Sequence, residues 1–243
     1  MKKQKNKNSL NMRSFQKLIS NRLAMVGLGC LILIILACML APVLTPYDPT
    51  AIDPKNKLLP MSWEHPLGTD QLGRDMLSRI LYGGRTTLSI SLISSALTGL
   101  LGVALGCIAG FFGGKVDSAI RTTGEFIACF PDLILTMLIM AFLGQSVYWI
   151  MAIWILIGWM SPMRMVRSKI LSLKEEPYVD SCRANGVGSA SIMFRHLLPN
   201  TIGVVIINIT SNVAGRVLAE STLSFLGLGI SPSNPSWGNI INA

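Results

Sequence analysis

The chain has 243 residues, 51% of them hydrophobic and only 14% charged, with a formal net charge of +9. Its mean hydropathy of +0.53 and its shortage of charge, against about 25% in soluble domains, exclude an ordinary soluble fold. They also exclude a nucleic-acid-binding domain, which would cluster basic residues with aromatics on one soluble face. Long uncharged runs without alternation point to membrane-spanning helices rather than a barrel.

Residues 1–22 form a basic tail carrying Lys2, Lys3, Lys5, Lys7, Arg13, Lys17 and Arg22. The first span is expected over residues 23–44, within a stretch without charge between Arg22 and Asp48. It is too long for a cleaved signal peptide and lacks the small-residue cleavage site. In segment 45–85 the basic residues are matched by Asp48, Asp53, Glu64, Asp70 and Asp75. Asp70, Arg74 and Asp75 stand at i, i+4 and i+5, and Ser78, Arg79 and Tyr82 continue the same helical reading. That stretch reads as a solvated amphipathic helix leading into the second span, or as a contact face for another protein.

The core follows, from 86 to 243. Its first span is expected from about Leu88 to Phe112. Ser91, Ser95 and Gly99, then Gly102, Gly106, Gly110 and Gly114, recur at four-residue spacing, the pattern that lets helix backbones approach closely in lipid. The partner of that face is either another span or a second subunit. Two further spans are expected at about 124–144 and 147–163, joined by a turn at residues 144–146. Pro131 frees a backbone carbonyl there, and Asp132 either caps the resulting kink or faces a pathway. The fifth span, from about Thr201 to Leu218, carries Asn208, Asn212, Arg216 and Glu220 along one stripe. Intramembrane charge faces a bundle interior or a watery path. The stripe therefore lines a path, or Arg216 and Glu220 form a structural pair near the outer interface.

The expected fold is all-α and polytopic, with five transmembrane helices. Arg164, Arg167, Lys169, Lys174, Arg183 and Arg195 form a second basic region. It agrees with the tail on a cytoplasmic N-terminus, leaving 45–85 outside. The five cysteines, Cys30, Cys38, Cys107, Cys129 and Cys182, show no CxxC spacing and read as small core residues. His65 and His196 fall on opposite sides of the membrane, so no metal site is expected. Gly114-Lys115 lacks both the first glycine and the hydroxyl of a phosphate-binding loop. With no catalytic motif either, the chain is read as a non-enzyme that holds no cofactor.

The loop at about 167–198 contains "EEPYVDSCRANGVGSASIMFRHLLPN". Pro177 suits a first helical turn, Tyr178, Val179 and Cys182 form a short apolar stripe, and Gly186 suits a left-handed helix end. Ser189 is expected to cap a second helix whose apolar face is Met193, Phe194, Leu197 and Leu198, with Pro199 starting the next span. Such a helix–corner–helix unit either lies on lipid or inserts into a partner's groove.

This stretch resembles the cytoplasmic EAA loop of ABC importer permeases. Asp180-Ser181-Cys182 stands at the Glu-Ala-Ala position, Gly186 at the glycine, and Leu198-Pro199 at the Leu-Pro end. "HPLGTDQLGRDMLSRILYGGRTTLSISL", "FPDLILT" and "ESTLSFLGLGISPSNPSWGNII" resemble the C-type permeases of the dipeptide, oligopeptide and nickel transporter family. The resemblance implies an ATPase-coupling element comprising Tyr178, Asp180, Ser181, Cys182, Gly186, Leu198 and Pro199. It implies a sister B-type permease subunit, two cytoplasmic ATPase subunits that hold ATP and Mg, and an extracytoplasmic substrate-binding protein, all at a prokaryotic cytoplasmic membrane. Short peptides are the implied cargo, with nickel or a metal chelate as the alternative, and an ATPase-independent channel or secondary transporter as the competing class. The family continues into a sixth span, whereas this chain ends at "WGNIINA".

Overall fold

The computed structural model describes residues 19–231 and 233–241; the basic tail from Lys2 to Lys17 lies outside them. Among the described residues the regular elements are helices, apart from one isolated bridge between Thr69 and Asp75. The chain forms two compact units, Met1–Arg85 and Thr86–Ala243.

In the first unit, helix α1 spans Arg22–Met39 and a further turn spans Ala41–Leu44. Asn21 starts α1 by accepting a hydrogen bond from the Ala24 N–H at 3.2 Å. Most of its large apolar side chains, among them Leu23, Val26 and Leu33, are exposed. That is the surface of a helix dissolved in hydrocarbon, where exposed leucine carries no penalty.

The segment after α1 is irregular and is held by a buried carboxylate. Asp70 accepts the backbone N–H groups of Leu72 and Arg74 at 2.8 and 3.0 Å, and the Arg74 Nε at 2.7 Å. Arg79 Nη1 lies 3.3 Å away. The expected Asp70–Arg74 pair is thus formed, but in a turn before helix α2 rather than on a helix. Nor is it solvated, since Asp70, Asp75, Ser78 and Arg79 are all buried. Asp75 caps α2 through the Ser78 N–H at 2.7 Å and meets His65 Nδ1 at 2.9 Å.

Burial pushes the Asp70 carboxyl up, but the Arg74 and Leu72 donors and the Arg74 charge outweigh it and hold the group below its ordinary value of 3.8. A depressed folded value contributes stability that is complete above 3.8 and is lost as pH falls through the folded value. Acidification below pH about 4 is therefore expected to open segment 45–75 to proteases, and Asp70→Asn to open it already at pH 7. Limited proteolysis against pH checks both outcomes.

Helix α2, Met76–Phe112, runs from the first unit into the second. At 1.5 Å per residue it is about 55 Å long, well beyond the hydrocarbon thickness, so it starts before the expected Leu88. Its patterning inverts that of a soluble helix. Thr87, Ser91, Ser94, Ser95 and Thr98 are buried, while Leu92, Ile93, Leu97 and Leu100 are exposed. Hydroxyls face protein and hydrocarbon faces lipid.

Helix α3, Gly114–Ala128, and helix α4, Asp132–Leu143, are bent 77° from one another. The single helix expected at 124–144 is therefore broken, because Pro131 cannot donate to the carbonyl four residues back. Helices α5, Val147–Gly158, and α6, Met160–Lys174, form one nearly continuous span. The interruption falls where Pro162 leaves the Gly158 carbonyl without its helical donor. This helix reaches Lys174 rather than stopping near 163, since nothing before Glu175 breaks it.

Helix α7 spans Pro177–Ala184, and a turn at Ser189–Ser191 opens into a wide π turn at Ile192–Leu197. Helix α8 covers Ile202–Phe225, and α9, Trp237–Ile241, follows a fold-back. Among the described residues four helices are long and apolar enough to cross a membrane, and counting the bent α3–α4 pair as one span makes five. The fold is an all-α, multi-pass membrane protein.

Candidate functional site

The glycine face of α2 meets α6 of the same chain, which settles its partner. A Cβ on Gly102 would lie 2.5 Å from Pro162 Cγ, one on Gly106 2.7 Å from the Met163 carbonyl oxygen, and one on Gly110 2.9 Å from Ile170 Cβ. Gly114 is not part of this ladder; it opens α3 at φ +53° with nothing near its Cβ position. At the same end, Arg167 of α6 pairs with Asp117 of α3 through two hydrogen bonds. The Lys174 Nζ donates to the Phe111 carbonyl at 2.7 Å. Helices α2, α3 and α6 are thereby clamped together next to the loop.

The loop unit hangs from this clamp. Val179, Ile192 and Leu197 are buried in one apolar cluster with Cys107, Val166 and Ile170, while Cys182, Met193 and Leu198 pack at its edge. Pro177 begins α7 and Gly186 has φ +72°, as the sequence suggests. Tyr178, Asp180, Ser181, Gly186 and Pro199 are exposed. The predicted coupling residues thus divide: those five face outward, and Cys182 and Leu198 anchor the unit. Two details differ from expectation. Ser189 makes no cap hydrogen bond, Gly188 holding the N-cap position. Phe194 is 60% exposed, because the π turn shifts the face and substitutes Ile192 in the core.

The polar stripe of α8 faces protein. Asn208 Nδ2 reaches Ser161 Oγ at 3.4 Å, and Asn212 donates to the Asn208 carbonyl and Oδ1 at 2.9 and 2.8 Å. Arg216 and Glu220 are buried, but they do not pair. Arg216 Nη2 donates to Thr98 Oγ1 at 2.7 Å and to the Trp154 carbonyl at 3.2 Å, with its guanidinium carbon 5.2 Å from the Trp154 ring centroid. Gly158 makes room for it; a Cβ there would lie 3.0 Å from Nη2. A side chain three bonds longer than alanine could not share that space.

Glu220 is fully buried and accepts from Thr87 Oγ1 at 3.0 Å and Ser224 Oγ at 2.8 Å. Around it the chain after α8 folds back. The Trp237 N–H donates to Thr87 Oγ1 at 3.2 Å, and Asn239 Nδ2 donates to the carbonyls of Ile230, Ser231 and Asn234. The structural-pair reading of Arg216 and Glu220 is therefore replaced by two separate networks, one turn apart. Glu220→Leu would strand two buried hydroxyls and is expected to lower stability by about 1–3 kcal/mol, with Glu220→Gln losing less. Thermal denaturation of the purified protein in detergent measures the difference.

Asp132, Thr136, Trp154, Ser161, Asn212 and Arg216 are among the residues lining one half-open cavity of about 330 Å³ between α4, α5, α6 and α8. Three candidate path residues thus share it, Asp132 at the first turn of α4, Asn212 and Arg216 on α8. Asn208 and Glu220 lie elsewhere on the stripe. Thr98 and Trp154 are missed by sequence reasoning. The hydroxyl recurrence Thr87, Ser91, Ser94, Thr98 on α2 is the signal that would have found the first; a tryptophan in an apolar run carries none.

The family profile described as "Binding-protein-dependent transport system inner membrane component" matches residues 102–243. A second, "N-terminal TM domain of oligopeptide transport permease C", matches residues 9–60. The oligopeptide transport system permease protein OppC of Bacillus subtilis is 34% identical over 221 residues, covering 91% of this chain and 72% of that protein. The dipeptide transport system permease protein DppC of the same species is 34% identical over 229 residues, covering 94% and 72%. The DppC of Alkalihalophilus pseudofirmus is 36% identical over 231 residues, covering 94% and 75%. With an all-helical membrane fold and a match running through α2, the loop and α8, the chain belongs to the family of inner membrane components of binding-protein-dependent transport systems, the permease subunits of ABC transporters.

Proposed function

We propose that this permease moves short peptides inward across the cytoplasmic membrane, driven by separate ATPase subunits. The observation that carries the substrate class is similarity over more than nine-tenths of the chain to permeases named for oligopeptides and dipeptides. None of those three is named for nickel, and the nickel alternative gains no support.

In this reading a sister B-type permease completes the cavity lined by Asp132, Asn212 and Arg216. An extracytoplasmic binding protein delivers cargo at the end holding Thr87, Glu220 and the fold-back. Of two cytoplasmic ATPases, carrying ATP and Mg, one engages the exposed face of α7, Tyr178, Asp180 and Ser181. The excess of Arg and Lys at that end supports its cytoplasmic side. Force applied to α7 would pass through the cluster around Val179 and Ile170 to α6, and through the glycine ladder to α2. Close-packed interiors transmit such displacement rather than absorb it.

Uptake of labelled dialanine by cells with and without this chain tests the reading. Loss of uptake with the chain deleted, and equal loss when the partner ATPases cannot bind ATP, is the expected result. Undiminished uptake in the deletion overturns it.

A further inference from the structure

We propose that the cavity holds a short peptide by its two charged ends, Arg216 taking the C-terminal carboxylate and Asp132 the N-terminal ammonium. The inference rests on the peptide reading above. It begins from two opposite charges that line one cavity, feel each other across it, and are too far apart to form an ion pair.

Arg216 is buried, and among the described residues no carboxylate pairs with it. Its Nη2 is committed to Thr98 and the Trp154 carbonyl, whereas its Nη1 is buried and has no hydrogen-bond partner. A guanidinium within a span is ordinarily matched by an anion or a set of acceptors. A carboxylate oxygen on Nη1 would complete it, since Nη2 is already committed and no neutral acceptor supplies the charge. Thr98 and the stacked Trp154 ring fix the guanidinium plane in advance, so little ordering remains for binding.

Asp132 comes from a different helix, α4, and is exposed. Its carboxylate forms no ion pair among the described residues. It stands in the first turn of α4, on the wall of the cavity. A free metal ion or a simple anion would satisfy one of the two charges and leave the other unmet. A zwitterion satisfies both. Much of the remaining wall, including Trp154, Ile157, Leu133 and Leu223, is apolar and carries no charge to select a side chain, with Thr136, Ser161 and Asn212 as neutral polar groups among it. A volume of about 330 Å³ lies at the small end of ligand cavities, roughly 300–1,000 Å³. That suits two or three residues gripped by their termini.

The complete transporter, reconstituted in liposomes with its binding protein, provides the test with dialanine, its C-terminal amide and its N-acetyl form. The binding protein's own preference is common to wild type and variants and cancels in the comparison. Arg216→Gln is expected to lower the free-acid over amide uptake ratio on the order of tenfold, the worth of one charge-assisted contact. Asp132→Asn is expected to lower the free-amine over N-acetyl ratio several-fold and leave the acid over amide ratio in place. Equal loss of acid and amide uptake in Arg216→Gln makes the residue structural and overturns the inference. If that variant does not assemble, the exposed Asp132 still decides, because an unchanged amine ratio in Asp132→Asn overturns it too. Absence of uptake of all three peptides by the wild type overturns the peptide reading and this inference together.

Discussion

Replacing Gly106 with leucine is expected to reduce transport at least tenfold, and Gly110→Val to do nearly as much. The first added carbon on Gly106 would stand 2.7 Å from the Met163 carbonyl oxygen and 2.9 Å from Val166 Cβ. The first of these is backbone and cannot rotate away, so α2 and α6 must separate. Overpacking of this kind costs about 1–3 kcal/mol when the surroundings relax, and here relaxation moves the helix that carries the loop. Two functions are disturbed at once, the seating of the loop and the shape of the cavity wall formed by Ser161. The control is Gly27→Leu on α1, where an added Cβ meets nothing within 4 Å and transport should be unchanged. Uptake and the yield of assembled complex measure the effect. Wild-type uptake in Gly106→Leu would mean that the helices can part without consequence, and that force does not travel through them.

The second large effect is expected at Gly186. With φ at +72° and open space around its Cβ position, the cost of a side chain there lies in the backbone alone, about 1–2 kcal/mol and more for a β-branched residue. Gly186→Val should therefore misdirect the chain after α7 without disturbing membrane insertion. ATP hydrolysis by the assembled complex is expected to continue with transport reduced several-fold, or the ATPases to bind more weakly. Gly186→Asn should retain most activity, because asparagine enters the left-handed region readily. The contrast between the two variants isolates conformation from bulk. Normal transport and normal assembly in the valine variant would assign the loop to the lipid surface instead.

Much of the membrane architecture was readable one residue at a time. Uncharged runs marked α1, α2, α5 and α8 because the bilayer selects on composition over about 20 residues. Pro177 and Gly186 marked the start and end of α7 because each acts on its own backbone. Pro131 signalled a break, but a proline specifies where a helix stops and not the 77° at which the next departs. Phe194 was placed with Met193 and Leu197 by a 3.6-residue period, and the π turn of Ile192–Leu197 has a different one.

The candidate site divides in the same way. The residues Asn208, Asn212, Arg216 and Glu220 announce themselves as a stripe because polarity inside a span is costly and local to α8. Their partners do not, since Thr98, Trp154 and Thr87 are remote in the chain and met only after folding. The pairing of Arg216 with Glu220 looked natural at one-turn spacing, yet each finds nearer acceptors or donors on other helices.

By itself the sequence determined that this is a helical membrane protein, which uncharged runs mark α1, α2, α5 and α8, and, through its motifs, which family it resembles. Those properties depend on burial in lipid and on backbone preference, which are written in short windows. Only the tertiary structure decided that the glycine ladder grips α6, that Asp132 and Arg216 share a cavity without pairing, and that Glu220 organises the fold-back. Each of these rests on contacts between residues tens of positions apart, whose geometry arises from how helices pack and not from any window of the chain.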